Sequence, residues 1–279
     1  MSSAKISFPH ILIRALLILL SFIIVLPFLF MLMNSFKTTA EYTRNIWALP
    51  GSFNLDNYEL ALERTQLMRY AINSLVVVTA ALVVNIAFAS SVSYVITRMG
   101  LKSARKIYSL FLVGLLIPHI LAIIPLFFVS RIFFLYNTRL MLVIAYAVFE
   151  LPFAVFVMCA FFKTLPTELE EAARIDGAGY FATFLRIMLP LAKPGLITVV
   201  IFNFLEYWSE YILALTLIAD ESKKTISLAI LRLQVATSVK TEWGAVFAAC
   251  IMFILPVLVI YCAFQSKLTE GLTAGSIKG

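Results

Sequence analysis

Six stretches of this chain run for more than twenty residues without a lysine or arginine: 15–36, 70–97, 107–130, 140–162, 194–219 and 243–266. A membrane-crossing helix needs about 20 mostly apolar residues. In lipid the backbone must satisfy its own hydrogen bonds, which restricts a spanning segment to helix or closed barrel. Each stretch is long enough to be a spanning helix, so the sequence predicts an all-α integral membrane bundle of six transmembrane helices. Hydrophobic residues make up 62% of the chain and charged residues 13%, against about 25% charged in soluble domains. The first stretch is too long for a signal-peptide core and lacks a small-x-small cleavage site, so it is expected to stay in the mature protein.

Charge and side-chain chemistry narrow the function. The net charge is +7. In a membrane protein such a surplus marks loops rather than nucleic-acid binding, so membrane lipid is an expected partner and nucleic acid is not. Cys159, Cys250 and Cys262 lie within apolar stretches and lack metal-site spacing, which suits small core residues. With His10 and His119 as the two histidines, no metal site is expected, and no cofactor. No G-x-x-x-x-G-K-[ST] run occurs, so the chain has no P-loop for ATP. No nucleophile–base set points to an enzyme.

Between the fourth and fifth stretches lies a charged interruption, residues 167–190. Thr167 and Glu170 read as T-x-x-E, a capping box, and Pro166 stops the preceding helix. A helix is expected from Thr167 to about Asp176, ended by Gly177 in the left-handed conformation. A second helix is expected from about Tyr180 to Leu189, with Pro190 and Pro194 breaking or kinking the chain. Ala172 and Ala173 let a partner approach the backbone closely, and Glu170, Glu171 and Asp176 surround them with negative charge. Membrane-surface helices are usually rich in Lys and Arg on their polar face, so this acidic one suits a protein partner.

Glu171-Ala172-Ala173, Gly177, Ile187 and Leu189-Pro190 spell E-A-A-x3-G-x9-I-x-L-P. With that pattern the chain resembles the membrane subunits of bacterial ABC importers. It is most similar to the carbohydrate-uptake branch, in the manner of the maltose-type second permease subunit. Further stretches carry the resemblance: Asn34-Ser35-Phe36-Lys37, Asn57-Tyr58, Asn73-Ser74, Ser93 to Arg98, Glu206 to Tyr211, and the ending Gly271 to Gly279. Ser209 departs from the family's usual Trp-Asn-Glu.

The resemblance implies a type I ABC importer permease fold, with 1–68 as tail, first helix and external segment, 69–265 as permease core and 266–279 as cytoplasmic tail. It implies an ATPase-docking helix carrying Glu170, Glu171, Ala172, Ala173, Asp176 and Gly177. The implied partners are two ATP-binding subunits, a second, related permease and an extracytoplasmic solute-binding protein. The implied location is the bacterial cytoplasmic membrane. Lys and Arg divide 12 against 10 between the two faces, too evenly to orient the chain, so the resemblance places both ends in the cytoplasm. The tail 271–279 is expected to reach the ATPase and to form no helix alone. A permease of the same superfamily for a polyol phosphate, amino acid or peptide is the alternative, and a channel a more distant one.

The segment Asn34 to Arg69, expected to be external, reads as irregular up to Pro50-Gly51, followed by a short helix that Asp56 or Asn57 could cap. Ionisable residues inside the spans are candidates for the translocation path, or else for pairing between helices or gating without substrate contact, because a charge at membrane depth is costly unless paired or hydrated. Glu150 lies midway along the fourth span. Asn203, Glu206 and Glu210 are expected on one face of a continuous fifth helix. Tyr207, Trp208 and Tyr211 beside them suit the flat face of a sugar. His119 reads as hydrogen-bonded within the bundle.

Overall fold

The computed structural model describes residues 8–236 and 242–274, and all regular structure among them is helical. Two compact units emerge. Met1–Leu67 and Ala229–Leu255 form one, and Met68–Leu228 and Pro256–Gly279 form the other. Three helices, Leu12–Ser35, Leu67–Arg98 and Trp243–Gln265, are long and apolar enough to cross a membrane unaided. Three bent helix pairs bring the candidate spans to six if each pair is one span.

The first unit contains α1 (Phe8–Ser35), α2 (Thr39–Arg44) and α3 (Asp56–Thr65). The segment expected to be external is not irregular up to Pro50, since α2 opens with a complete capping box: Thr38 and Glu41 each accept from the other's backbone N–H. Neither Asp56 nor Asn57 caps α3. Both lie inside its first turn, and the Asp56 N–H is taken by Asn54 Oδ1 at 2.9 Å. Asn57 instead donates to the carbonyls of Ser35 and Lys37, each at 2.8 Å, while Tyr58 OH meets Ser35 Oγ at 2.7 Å. Thus the first-helix ending and Asn57-Tyr58, some twenty residues apart in sequence, form one polar joint. Lys37 is fully buried there and donates to the carbonyls of Asn45 and Ile46. Gly244 makes the joint possible: a Cβ on it would lie 2.3 Å from Asn57 Nδ2 and 2.4 Å from the Lys37 carbonyl.

The second unit holds most of α4 (Leu67–Arg98), then α5 (Ala104–Leu115), α6 (Ile123–Ile132), α7 (Arg139–Phe149) and α8 (Leu151–Thr164). Next come α9 (Glu168–Ile175), α10 (Tyr180–Thr183), a π-helical turn Phe184–Met188, α11 (Leu189–Leu191), α12 (Lys193–Ser209) and α13 (Ile212–Leu217). Two further helices, α14 (Ile226–Ala236) and α15 (Trp243–Ala274), are each divided between the two units.

The third, fourth and fifth spans are not the straight helices expected. The third bends by 93° between α5 and His119–Ile132, around Pro118. The fourth bends by 45° between α7 and α8, where Pro152 sits in the first turn of α8. The chain bends by 72° between Tyr180–Leu191 and α12, which has Pro194 in its first turn. Proline lacks the donor that a continuous helix needs, and its ring crowds the carbonyl four residues back. The chain kinks between Pro190 and Pro194, as expected, but at residues 191–193 rather than at Pro190 itself. The widened π-turn just before it relieves that crowding, and the helix continues to Leu191. The fifth span also breaks after Ser209, where Glu210 has an extended backbone.

Helix α15 runs past the expected end of the sixth span through Gly271 to Ala274. Once nucleated, a long helix extends through residues that would not start one. The remainder of the expected tail, residues 275–279, lies outside the described residues, as do 237–241 of the expected external loop 220–242.

Candidate functional site

The charged loop is built as helix, glycine turn, helix. Leu165 precedes Pro166 and is extended (φ −74°, ψ 141°), which separates α8 from α9. The expected capping box at Thr167 is absent. Thr167 has helical backbone angles (φ −73°, ψ −26°) and makes no side-chain cap bond, whereas a capping side chain needs an extended residue. Glu170 is turned away from it. That side chain is buried, and its Oε2 lies 3.4 Å from Arg98 Nη1 at the end of α4.

Helix α9 therefore has two distinct faces. Glu170 and Ala173 point inward, 5% and 4% exposed. Glu171, Ala172 and Ile175, spaced three and four apart, point outward. The two alanines divide between these faces, so only Ala172 presents a small side chain to the outside. Ile175 is 86% exposed and Phe181, on α10, 74%. These bare apolar side chains escaped the sequence reading, although Ile175 stands one turn beyond Glu171 on the outward stripe.

At the end of α9 the Gly177 N–H donates to the Arg174 carbonyl at 3.0 Å and the Ala178 N–H to the Ala173 carbonyl at 2.8 Å. This pair of bonds is a Schellman motif. Gly177 has φ +79°, the left-handed geometry expected of it. Asp176 is exposed beside the turn. The Arg174 guanidinium lies over the Tyr180 ring at 5.3 Å, joining the two arms across it.

The proposed path residues part company. Asn203 is fully buried and donates to Asn85 Oδ1 at 2.9 Å, while Asn85 donates to the Ala147 carbonyl at 2.8 Å, tying α12, α4 and α7 together. Tyr207 is buried and stacked on Tyr146 at 5.4 Å. Trp208 is buried and stacked on Phe204 at 5.5 Å. Glu210 does not share a helical face with Glu206, because α12 ends between them. Its carboxylate caps α13, accepting from the Leu213 N–H at 2.6 Å and the Ala214 N–H at 3.1 Å, and it accepts from Tyr146 OH at 2.9 Å.

Glu206 and Tyr211 remain exposed on this chain. Glu150 sits at the bend of the fourth span with its side chain 16% exposed, 3.7 Å from His119 Nδ1. The His119 ring stacks on Phe149 at 4.8 Å. His119 thus faces a carboxylate beyond hydrogen-bonding distance, at a bend, and is half open.

Comparison with known proteins gives this geometry a context. Residues 89–267 match the family described as the binding-protein-dependent transport system inner membrane component. A diacetylchitobiose uptake system permease protein of Streptomyces coelicolor is 38% identical over 95% of this chain and 88% of its own. A probable starch degradation products transport system permease protein of Thermoanaerobacterium thermosulfurigenes is 34% identical over 94% of each. A trehalose transport system permease protein of Mycobacterium tuberculosis is 30% identical over 91% of this chain and 92% of its own. Among solved structures, a bacterial ABC transporter involved in import of the acidic polysaccharide alginate superposes with a TM-score of 0.84. That match has 21% identity and covers 95% of this chain and 98% of that one.

Proposed function

The chain belongs to the family of binding-protein-dependent transport system inner membrane components, and we propose that it is a permease subunit of an ATP-driven ABC importer for a sugar or oligosaccharide. The substrate class rests on relatives named for diacetylchitobiose, starch degradation products and trehalose. The chain is a multi-pass inner-membrane protein and a transporter subunit rather than an enzyme. ATP is hydrolysed by two partner subunits. A second, related permease completes the membrane domain, and an extracytoplasmic binding protein delivers the sugar. Both termini and residues 167–190 face the cytoplasm, and 37–69 and 220–242 face outward. An impermeant maleimide applied to intact cells should therefore label a cysteine at Ser52 and not one at Asp176. The reverse pattern inverts the topology.

One observation carries the docking reading: the outward stripe Glu171, Ala172 and Ile175, next to a Schellman turn that fixes the second arm. A small residue between a carboxylate and a bare isoleucine fits a cleft in a folded partner, since desolvated apolar anchors and close approach dominate such contacts. Closure of the ATPases on ATP would move this helix and, through it, the spans, giving alternating access. Glu170 and Ala173 face inward and act by holding the helix. Glu206 and Tyr211, the exposed members of the path set, line the route of the sugar together with the half-buried Glu150 at the bend of the fourth span, with Asn203, Tyr207, Trp208 and Glu210 fixing their frame.

The docking reading is tested with Gly177→Val and Glu171→Lys. A β-branched residue at φ +79° is strained by roughly 1–3 kcal/mol, and the charge reversal leaves the fold alone. Both variants should insert normally and lose ATP-coupled uptake in vesicles. Normal uptake with a normal amount of bound ATPase removes the assignment. For the path, Glu206→Leu should abolish uptake in an assembled complex and Glu206→Gln should only weaken it. Unaltered uptake by the leucine variant takes Glu206 off the route.

A further inference from the structure

Arg98 holds three segments at once. It ends α4, its Nη1 donates to Glu170 Oε2 on α9 at 3.4 Å, and its Nη2 donates to the carbonyls of Phe162 and Leu165 at the end of α8, the latter at 2.5 Å. The two side chains are 6% and 7% exposed. A planar guanidinium suits this arrangement, because its donors diverge from two terminal nitrogens in a fixed fork.

Stability alone does not account for such a pair. A buried ion pair is often no more stable than a well-packed apolar replacement, since desolvating two charges costs about what their attraction returns. Glu170 is also absent from the capping box that its own sequence pattern offers. What the fork supplies is a fixed relative position of α4, α8 and α9.

A second grip lies one turn away. Tyr94 on α4 meets Phe184 of the π-turn at 5.1 Å and Phe162 of α8 at 5.9 Å, ring centre to ring centre. Phe162 and Met188 of the same cluster are fully buried. Both arms of the loop are thus fastened to the same two spans, one by charge and one by aromatic packing. The backbone breaks at Leu165, where the fork bridges α8 and α9, and again at the Gly177 turn and at the 72° bend before α12.

We propose that Arg98 and Glu170 are positioning residues for transport: their clasp makes the docking helix move as one body with the cytoplasmic ends of α4 and α8. This rests on the docking reading of the loop. Without the clasp, the ATPase would displace α9 without displacing the spans.

The test uses the full importer with its ATPases, partner permease and binding protein. The three native cysteines are replaced, and spin labels are placed at Thr167, whose side chain makes no cap bond, and at Met99, exposed just beyond α4. The expected distance distribution is narrow and the same in the nucleotide-free and ATP-trapped states. In Glu170→Ala it should broaden and shift with nucleotide. Uptake should fall on the order of tenfold, the scale of a typical coupling energy, with the ATPase still bound and hydrolysing ATP without stimulation by binding protein. Glu170→Gln, which keeps an acceptor for Arg98, should fall between wild type and alanine in both readouts. A wild-type distance that changes between the two states overturns the proposal, as does alanine-variant uptake at the wild-type rate. If the alanine variant does not assemble, the wild-type distances decide. A wild-type complex that takes up no sugar contradicts the importer reading instead.

Discussion

Two four-residue runs share one pattern and fold differently: Thr38-Thr39-Ala40-Glu41 and Thr167-Glu168-Leu169-Glu170. At the first, Thr38 is extended (φ −65°, ψ 158°), Glu41 N–H donates to Thr38 Oγ1 at 3.2 Å, and Thr38 N–H donates to Glu41 Oε2 at 2.9 Å. At the second, Thr167 is helical and Glu170 faces Arg98. The difference lies in what surrounds each glutamate. Glu41 is in an exposed turn with local donors. Glu170 lies beside a buried guanidinium that would otherwise have no counter-charge from it. A cap is worth about 1 kcal/mol, and stripping one partner from a buried pair costs about 3–5 kcal/mol. A tertiary charge therefore outbids a local cap wherever both compete for one carboxylate.

The strongest way to break this contrast is Arg98→Leu. It leaves Glu170 buried without its cation and should destabilise the protein by about 3–5 kcal/mol, read as a fall in the denaturation midpoint of the detergent-solubilised chain. A change under about 1 kcal/mol, the worth of a cap, would mean that the pair does not set the geometry of α9. An intermediate case is Glu210, whose carboxylate caps α13 and also accepts from a buried tyrosine. Glu210→Ala should cost about 1–3 kcal/mol through the donors it orphans, and a neutral result would demote the cap.

At the weak end, Thr38→Ala should cost about 1 kcal/mol, while Thr167→Ala should stay within about 0.5 kcal/mol. Equal losses at the two positions would erase the comparison. Acid gives a parallel check. Hydrogen bonds from the backbone N–H groups of Thr38 and then Gly51 hold the Glu41 carboxyl below its ordinary range. Its folded pKa is depressed, so the contribution is complete above the unfolded value of about 4.3 and is lost as pH falls through the folded one. Amide exchange in α2, corrected for its intrinsic rate, should speed up on acidification through that window, and the Thr38→Ala protein should show less of the effect.

The same physics explains what the sequence reveals and what it hides. Span positions were legible because Lys and Arg are excluded over long stretches. The Gly177 turn was legible because few residues other than glycine accept its φ. The breaks at Pro118 and Pro152 carried a signal in their prolines, yet their angles depend on neighbouring helices. The break after Ser209 carried none: Glu210 became a cap only because the chain turned extended there, which separated it from Glu206. Pro190 and Pro194 promised a break or kink, and the 72° bend lies between them. The Arg98–Glu170 clasp joins residues 72 positions apart, and the Asn85–Asn203 link 118. Periodicity cannot report contacts of that range. For the outward stripe of α9 that we propose docks the ATPase, the residues were readable and their facing was not, because which alanine turns inward follows from where Glu170 is pulled.

The central claim is that this chain imports sugar only when ATPase subunits work through the 167–190 loop. It is tested most directly by uptake of labelled oligosaccharide into proteoliposomes holding the purified complex, with binding protein outside and ATP within. The expected result is saturable uptake that requires both ATP and binding protein and disappears in Glu171→Lys while the spans remain inserted. Sugar flux through the membrane subunits without ATPase, or full uptake by the Glu171→Lys complex, would contradict it.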